Sequence, residues 1–310
     1  VALSNEGYIK RVSMKSYTSS NGDETTLKPG DYLKYLFEVS TLDNLVIFTN
    51  LGQYLYVPVH TIFEGKWKDL GKHINNLVTG LSESEYIVGA FILKNPDEKI
   101  TFVTKNGLVK QSILKDFVVS RYSKAMLAFK LKDNDEVIAV NQSKPRTVLI
   151  SEAGYYVNID TEEIPVVGAR ASGVRGMNLK DDDLAAGLSL DSSEYLSIFT
   201  NNKTAKRVKV SELETHNRAK KGSTLIKKVK SFDYKIIKAL LTDGKDELFL
   251  KCDNEITKIK NTDISILDLK STGGTISRYK IDDVFTSTVV DSSLKNNKDA
   301  NEEVKTLEEN

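Results

Sequence analysis

A ring of six all-β units is what this sequence predicts, and three observations predict it. A turn marker recurs at near-constant spacing, an acidic marker recurs at the same spacing, and the residues between them alternate with a period of two. The first marker ends the turn after each opening strand. It is Gly7, Gly52, Gly107 and Gly154, then Lys203 and Asn254, in steps of 45, 55, 47, 49 and 51 residues. Such a place suits a hairpin residue with positive φ, which explains glycine four times and asparagine once. Lys203 fits worst and predicts a longer or looser turn. The second marker is an acidic turn between the third and fourth strands, whose final acids are Asp31, Glu85, Asp135, Asp183, Asp233 and Asp283. They stand 54, 50, 48, 50 and 50 residues apart. Two independent markers with one period, near fifty residues, mean a ring or stack of similar units.

Each unit reads as four strands, for example residues 99–104, 108–114, 126–131 and 137–141. Six such units form a propeller-like ring of four-stranded blades, which leaves only short, protected sheet edges. The second strand alternates apolar and polar residues, as in Lys206-Arg207-Val208-Lys209-Val210. Four residues after the turn marker come Arg11, Tyr56, Gln111, Asn158, Arg207 and Lys258, which this alternation points to solvent. One further come Val12, Val57, Ser112, Ile159, Val208 and Ile259, which it points to the core. In the sixth unit only three strands precede the turn at Asp283, so residues 284–290 are expected to supply a closing strand beside the N-terminus.

The 310 residues carry 44 basic and 43 acidic side chains, so partners are read from charge distribution and not from the net value. Residues 291–310 hold six acids against three lysines, and the rest of the chain is mildly basic. The expected division is a folded domain over 1–290 and an acidic, disordered tail over 291–310. Cys252 is the only cysteine, which excludes an internal disulfide. No apolar run is long enough for a membrane span and the start lacks a signal-peptide layout, so the expected location is cytoplasmic. The chain begins inside a strand-like pattern without methionine, which predicts a fragment of something longer.

Candidate chemistry is sparse. Arg121-Tyr122 and Arg278-Tyr279 have the composition of a DNA-cleaving tyrosine site but lie in connectors without helical context, and read as exposed loop. Asp181-Asp182-Asp183 offers hard oxygen ligands but matches the repeating turn, where aspartate is ordinary. The run 65–73, GKWKDLGKH, has one residue too many between its glycines for a phosphate loop, and His73 stands where a Mg-binding hydroxyl is needed. His60, His73 and His216 are scattered. These readings exclude a visible catalytic or metal site and imply no cofactor.

The basic residues carry the functional signal. Residues 203–230 hold ten of them against Glu212 and Glu214, a local net of +8 in a nearly neutral chain. That excess favours an anionic partner: lysines along a curved ring edge would meet successive phosphates of a bent duplex. The candidate set is Lys10, Arg11, Arg170, Arg175, Lys206, Arg207, Lys209, Arg218, Lys220, Lys221, Lys227, Lys228 and Lys258. Gly222, beside Lys221, marks a place where the backbone could approach a ligand closely. Sequence readout of bases is not implied, because no recognition helix is visible.

The segments 1–12 (VALSNEGYIKRV) and 168–179 (GARASGVRGMNL) with the acidic turn after it resemble the C-terminal domain of bacterial type IIA topoisomerase A subunits. The likeness covers roughly residues 1–290. It implies a six-bladed β-pinwheel in which neighbouring blades exchange a strand, with an outer rim that bends double-stranded DNA and presents it to a catalytic core in the same polypeptide. Gyrase A subunits carry a Gln-Arg-Arg-Gly-Gly-type box in the first blade. Residues 16–26 here, SYTSSNGDETT, have no arginine and two acids, and so look like the A-type polypeptide of a Gram-positive topoisomerase IV. The resemblance implies a non-catalytic domain of an ATP-hydrolysing, Mg-dependent enzyme that decatenates and relaxes DNA. The implied partners are the remainder of the same polypeptide and the ATPase B-type polypeptide in a heterotetramer, close to the nucleoid. A propeller serving as a protein-interaction scaffold is the alternative from another class. A ring enzyme with axial carboxylates is a third, and the lack of converging acids counts against it.

Overall fold

A computed structural model of the chain describes residues 1–293. Six small antiparallel sheets follow one another around a ring, with almost no helix. The blades are built on the predicted hairpins: Asn44–Thr49 with Gln53–Pro58, Lys99–Thr104 with Leu108–Ile113, Arg146–Ser151 with Tyr155–Asp160, Tyr195–Thr200 with Thr204–Lys209, and Glu247–Cys252 with Glu255–Lys260. In the first blade the pair is Ala2–Ser4 with Tyr8–Lys10. The fourth strand of each unit, such as Val137–Gln142 or Leu184–Leu190, pairs with the opening strand, and successive fourth strands pack side by side.

The third strand is short and leaves its own blade. Met126–Leu127 pairs with Gln53–Pro58 of the preceding blade, Val174–Arg175 with Leu108–Ile113, Ser223–Thr224 with Tyr155–Asp160, and Gly274–Thr275 with Thr204–Lys209. Lys72–His73 does the same on the first blade. Each of blades one to five therefore receives its outer strand from the next unit, and the sixth has three strands among the described residues. Unit one has the helix Met14–Thr18, capped by Ser13, in its connector.

The core lies between blades. Five buried apolar layers fill the five successive junctions, for example Val46, Phe48, Ile100, Phe102 and Phe117 between the second and third blades. The others are likewise drawn from two adjacent blades each. The sixth junction is closed differently. Asp283–Thr286 completes the sixth blade, Tyr32 stacks on Phe285 at 3.6 Å, and Val290–Ser292 adds in parallel to Leu33–Glu38 of the first blade. The closing strand thus sits beside the N-terminal blade, but it begins at Val290 and takes in Asp291 and Ser292, which the sequence division had assigned to the tail. Residues 294–310, and with them the expectation of a disordered tail, lie outside the described residues.

Three local expectations change. Lys203 does not sit in a looser turn: it takes φ +61° and its amide donates to the Thr200 carbonyl at 3.2 Å, as that of Gly107 does to Thr104 at 3.0 Å. In the sixth hairpin positive φ falls on Asp253 and not on Asn254. The solvent-facing assignment also fails at Gln111, Asn158 and Arg207, which are buried, and holds at Lys258. A ring covers both faces of each blade, so alternation along a strand no longer separates water from core. The backbone amides of Arg11, Gln111 and Arg207 donate to Phe63, Pro165 and Ser265 in the following connector.

Candidate nucleic-acid interface

The exchanged strands are the outer strands of their sheets, and they and the connectors that lead to them carry several exposed basic side chains. At the junction of the third and fourth blades the connector after Lys209 returns toward the fourth blade. It crosses the exchanged strand Val174–Arg175 on its way: Met177 and Lys220 form a parallel bridge, and the Lys220 carbonyl accepts from the Asn178 amide at 2.8 Å. The Arg218 guanidinium donates through Nη1 to the Arg175 carbonyl at 2.7 Å, and Glu163 receives the Arg218 amide at 2.9 Å. Arg175, Lys220 and Lys221 are exposed, and Lys221 lies 4.1 Å over the Tyr155 ring. An aromatic face of this kind holds an ammonium in place while leaving it accessible. Four of the predicted cations are thereby brought together by observed contacts, three of them exposed and Arg218 as the brace between the two connectors.

Gly222 is required here for a different reason from the one the sequence offered. Its φ is +82° and a Cβ would stand 1.8 Å from the Tyr156 carbonyl oxygen, so the close approach is to the chain's own backbone and not to a ligand. His216, at the foot of the same connector, accepts from the Asn158 amide through Nδ1 and meets Ser223 Oγ at 2.9 Å through Nε2. Burial pushes its pKa down, with the nearby Glu214 opposing. It is a structural histidine.

Three predicted contact residues are removed from the surface. Lys10, Lys206 and Arg207 are 2%, 1% and 6% exposed. Lys206 Nζ donates to the carbonyls of Leu225 at 2.6 Å, Leu269 at 2.7 Å and Asp268 at 3.1 Å. Lys10 Nζ donates to the Trp67 carbonyl at 2.6 Å, to the Asp69 carbonyl and to Thr25 Oγ1. Lys110, which charge counting did not single out, is fully buried among the carbonyls of Ala128 at 2.6 Å, Ala169 at 2.9 Å, and Gly168 and Ala171 at 3.2 Å. Burial lowers the three amines, to about 8 for Lys10 and Lys110 and about 7 for Lys206. Arg207 donates from Nε to the Ile264 carbonyl at 2.7 Å and lies over Tyr195. The physical reason is common to all: the strand is sandwiched between blades, and a long apolar stem reaches across to carbonyl oxygens.

The remaining candidates are surface residues in other places. Arg11 is half-buried, donates to the Ile62 carbonyl and pairs with Glu64 at 2.7 Å. Lys258 pairs with Glu247 at 2.6 Å on the exposed strand of the sixth blade. Arg170 and Lys209 are exposed, Lys209 at the end of the fifth blade's second strand. Lys227 and Lys228 line a groove of about 610 Å³ whose other wall is Asp181, Asp182 and Asp183. That groove is mixed in sign, so the ten basic residues do not share one surface: Lys206 and Arg207 are interior, Arg218, Lys220 and Lys221 lie at the rim, and Lys227 and Lys228 line the groove. The sequence showed one block because strand exchange sends adjacent residues to different blades. Of the tyrosines considered, Tyr122 leans against Tyr56 in a loop and Tyr279 is open to solvent. No His, Cys, Asp or Glu cluster among the described residues is arranged to hold a metal ion.

Comparison with known proteins places this geometry. The family described as DNA gyrase C-terminal domain, beta-propeller, matches four successive segments, residues 43–94, 98–144, 147–190 and 194–243. The chain belongs to that family. It is 38% identical over 252 residues to the A subunit of DNA topoisomerase 4 from Bacillus subtilis, covering 80% of this chain and 31% of that protein. It is 34% identical over 251 residues to the corresponding protein of Staphylococcus aureus, with 79% and 31% covered. The chain thus spans about a third of the length of the curated relatives it matches. Among solved structures, the C-terminal domain of DNA topoisomerase IV superposes with a TM-score of 0.88 at 32% identity, covering 98% of this chain and 97% of that one. The DNA gyrase A C-terminal domain shares the fold, with a TM-score of 0.67 at 21% identity over 93% of this chain and 99% of that one. The resemblance read from segments 1–12 and 168–179 is the family the comparisons identify, and the six-bladed propeller it implied is the fold observed. No helix among the described residues is long and apolar enough to cross a membrane.

Proposed function

We propose that this chain is the DNA-bending domain of a topoisomerase IV of the A-type polypeptide: its rim holds a duplex through phosphates and delivers it to a catalytic core that the domain does not contain. The observation that carries the reading is the rim cluster of Arg175, Lys220 and Lys221, braced by Arg218, on a chain whose charges are otherwise nearly balanced. Cations on flexible stems, without a recognition helix, suit backbone contact and not base readout. In the whole enzyme the remainder of this polypeptide and the ATPase B-type polypeptide supply cleavage, Mg and ATP chemistry, and this domain needs no cofactor of its own. The nucleoid is the corresponding location.

The test is duplex binding by the 310-residue chain across a salt series. Each phosphate contact contributes about 0.9 to the slope of log affinity against log salt. Changing Arg175, Lys220 and Lys221 to glutamine is expected to lower that slope by up to about 2.7 and to weaken binding to unrelated sequences alike. Fluorescence anisotropy with a random-sequence duplex reads it. An unchanged slope, with circular dichroism intact, would move the DNA path elsewhere on the ring. Absence of salt-dependent binding in the unaltered chain would favour a protein-interaction scaffold.

A further inference from the structure

We propose that Lys10, Lys110 and Lys206 are the locks of strand exchange, and that Lys110 and Lys206 each fix two successive exchanged strands at once. All three stand three residues after the turn marker, in the first, third and fifth blades. The second, fourth and sixth blades have Leu55, Val157 and Thr257 there. The alternation follows from which carbonyls each ammonium meets.

Lys110 holds the carbonyl of Ala128, just beyond the strand Met126–Leu127 that closes the second blade. The same Nζ holds Gly168, Ala169 and Ala171, which lead into Val174–Arg175, the strand that closes the third blade. Lys206 repeats this two blades on. Leu225 follows Ser223–Thr224 of the fourth blade, and Asp268 and Leu269 lead into Gly274–Thr275 of the fifth. Lys10 takes Trp67 and Asp69, ahead of Lys72–His73 on the first blade. Three lysines therefore touch the chain beside all five exchanged strands, and a lysine in every second blade is enough.

The chemistry fits the task. A two-residue strand makes few ladder hydrogen bonds, so its hold must come from elsewhere. An ammonium has three donors and no acceptor, and can gather carbonyls from two separate segments at one point. A methionine would keep the stem's packing but leave the Ala128 and Ala169 carbonyls without that donor. The proposal concerns rigidity of the ring and is independent of DNA binding.

Amide hydrogen exchange on the 310-residue chain tests it. In Lys110→Met, exchange in Met126–Leu127 and Val174–Arg175 is expected to rise about tenfold or more, the cost of unsatisfied buried carbonyls. Ser223–Thr224 and Gly274–Thr275 should stay as in the unaltered chain, and Lys206→Met should give the reverse pattern. Release of only one strand of a pair, an equal rise in all five strands, or no rise at all overturns the proposal. Slow acylation of the unaltered chain covers a variant that fails to fold. Molecules acylated at Lys110 should have lost protection in both of its strands, and full protection in those molecules would count equally against the lock.

Discussion

The Asp135 carboxylate accepts from the Asn106 amide at 2.9 Å and from its own neighbour Glu136 at 2.9 Å. Asn106 is the residue before the turn glycine, so the two recurring markers of the sequence are one hydrogen-bonded device. Asp31 does the same for Glu6; in the fourth and sixth units the acceptors are Asp182, for Ala153, and Asp282, for Asp253, each one residue before the acid that the spacing picked out, Asp183 and Asp283. In the second and fifth units the side chain comes from the other partner: Asn50 accepts from Tyr86, and Asn201 from Lys235. Spacing made both markers legible, but not that they touch, since a period says nothing of which two points of a unit meet. Lys203 shows a related limit. Its turn is held by the ring to the shape glycine adopts freely, and a side chain at φ +61° costs about 1–2 kcal/mol. Lys203→Gly is therefore expected to stabilise the chain by about 0.5–1 kcal/mol, the gain being reduced by glycine's larger unfolded-state entropy. A higher denaturant midpoint checks it; a lower one would mean that the contact of Lys203 Nζ with the Arg278 carbonyl, 3.0 Å, outweighs the strain.

Strand exchange is where sequence reading and structure part most. Hairpins and fourth strands were legible because their alternation is local: in the third unit, expected at 99–104, 108–114 and 137–141, they run Lys99–Thr104, Leu108–Ile113 and Val137–Gln142. The third strand was expected at 126–131 and is Met126–Leu127, with no local signal in a two-residue strand that it pairs with the blade before. The buried lysines were equally hidden: Lys206 reads as a surface charge until both faces of its strand are covered. One signal was available, the return of lysine three residues after the marker in alternate units. Gly222 marks how tightly an exchanged strand is delivered. Its φ is positive and an added Cβ would lie 1.8 Å from the Tyr156 carbonyl oxygen. Gly222→Ala therefore combines backbone strain with a clash that neither segment can absorb without moving Ser223–Thr224. Urea unfolding is expected to show a loss of about 3 kcal/mol or more. A midpoint equal to that of the unaltered chain would show that the connector is free to shift.

At the scale of the ring, five junctions are apolar layers and the sixth is a polar and aromatic seam, which makes the closure the place where acid should act first. Asp283 receives hydrogen bonds from Lys238 Nζ at 2.8 Å, Tyr32 Oη at 3.0 Å and the Val284 amide at 2.8 Å. Burial works to raise its pKa, but the Lys238 ammonium and these donors outweigh that and leave it lowered. Lys34 faces the same seam, donating to the Ile87 carbonyl at 2.8 Å, and burial with Lys238 brings it down to about 8. A carboxylate whose folded pKa lies below its unfolded value contributes stability above the ordinary aspartate range, about 3.9, and loses it as pH falls through the folded value. The side chains that form the apolar layers do not themselves ionise in this range. Hydrogen exchange, corrected for its intrinsic pH dependence, is therefore expected to rise in Asp283–Thr286 and Leu33–Glu38 below about pH 4 while Leu184–Leu190 stays protected. In Asp283→Asn the seam should be weaker at neutral pH, by about 1–2 kcal/mol, and much less sensitive to acid. Loosening of all six blades together, or an acid response in Asp283→Asn equal to that of the unaltered chain, would place the acid-labile contact elsewhere than at this seam.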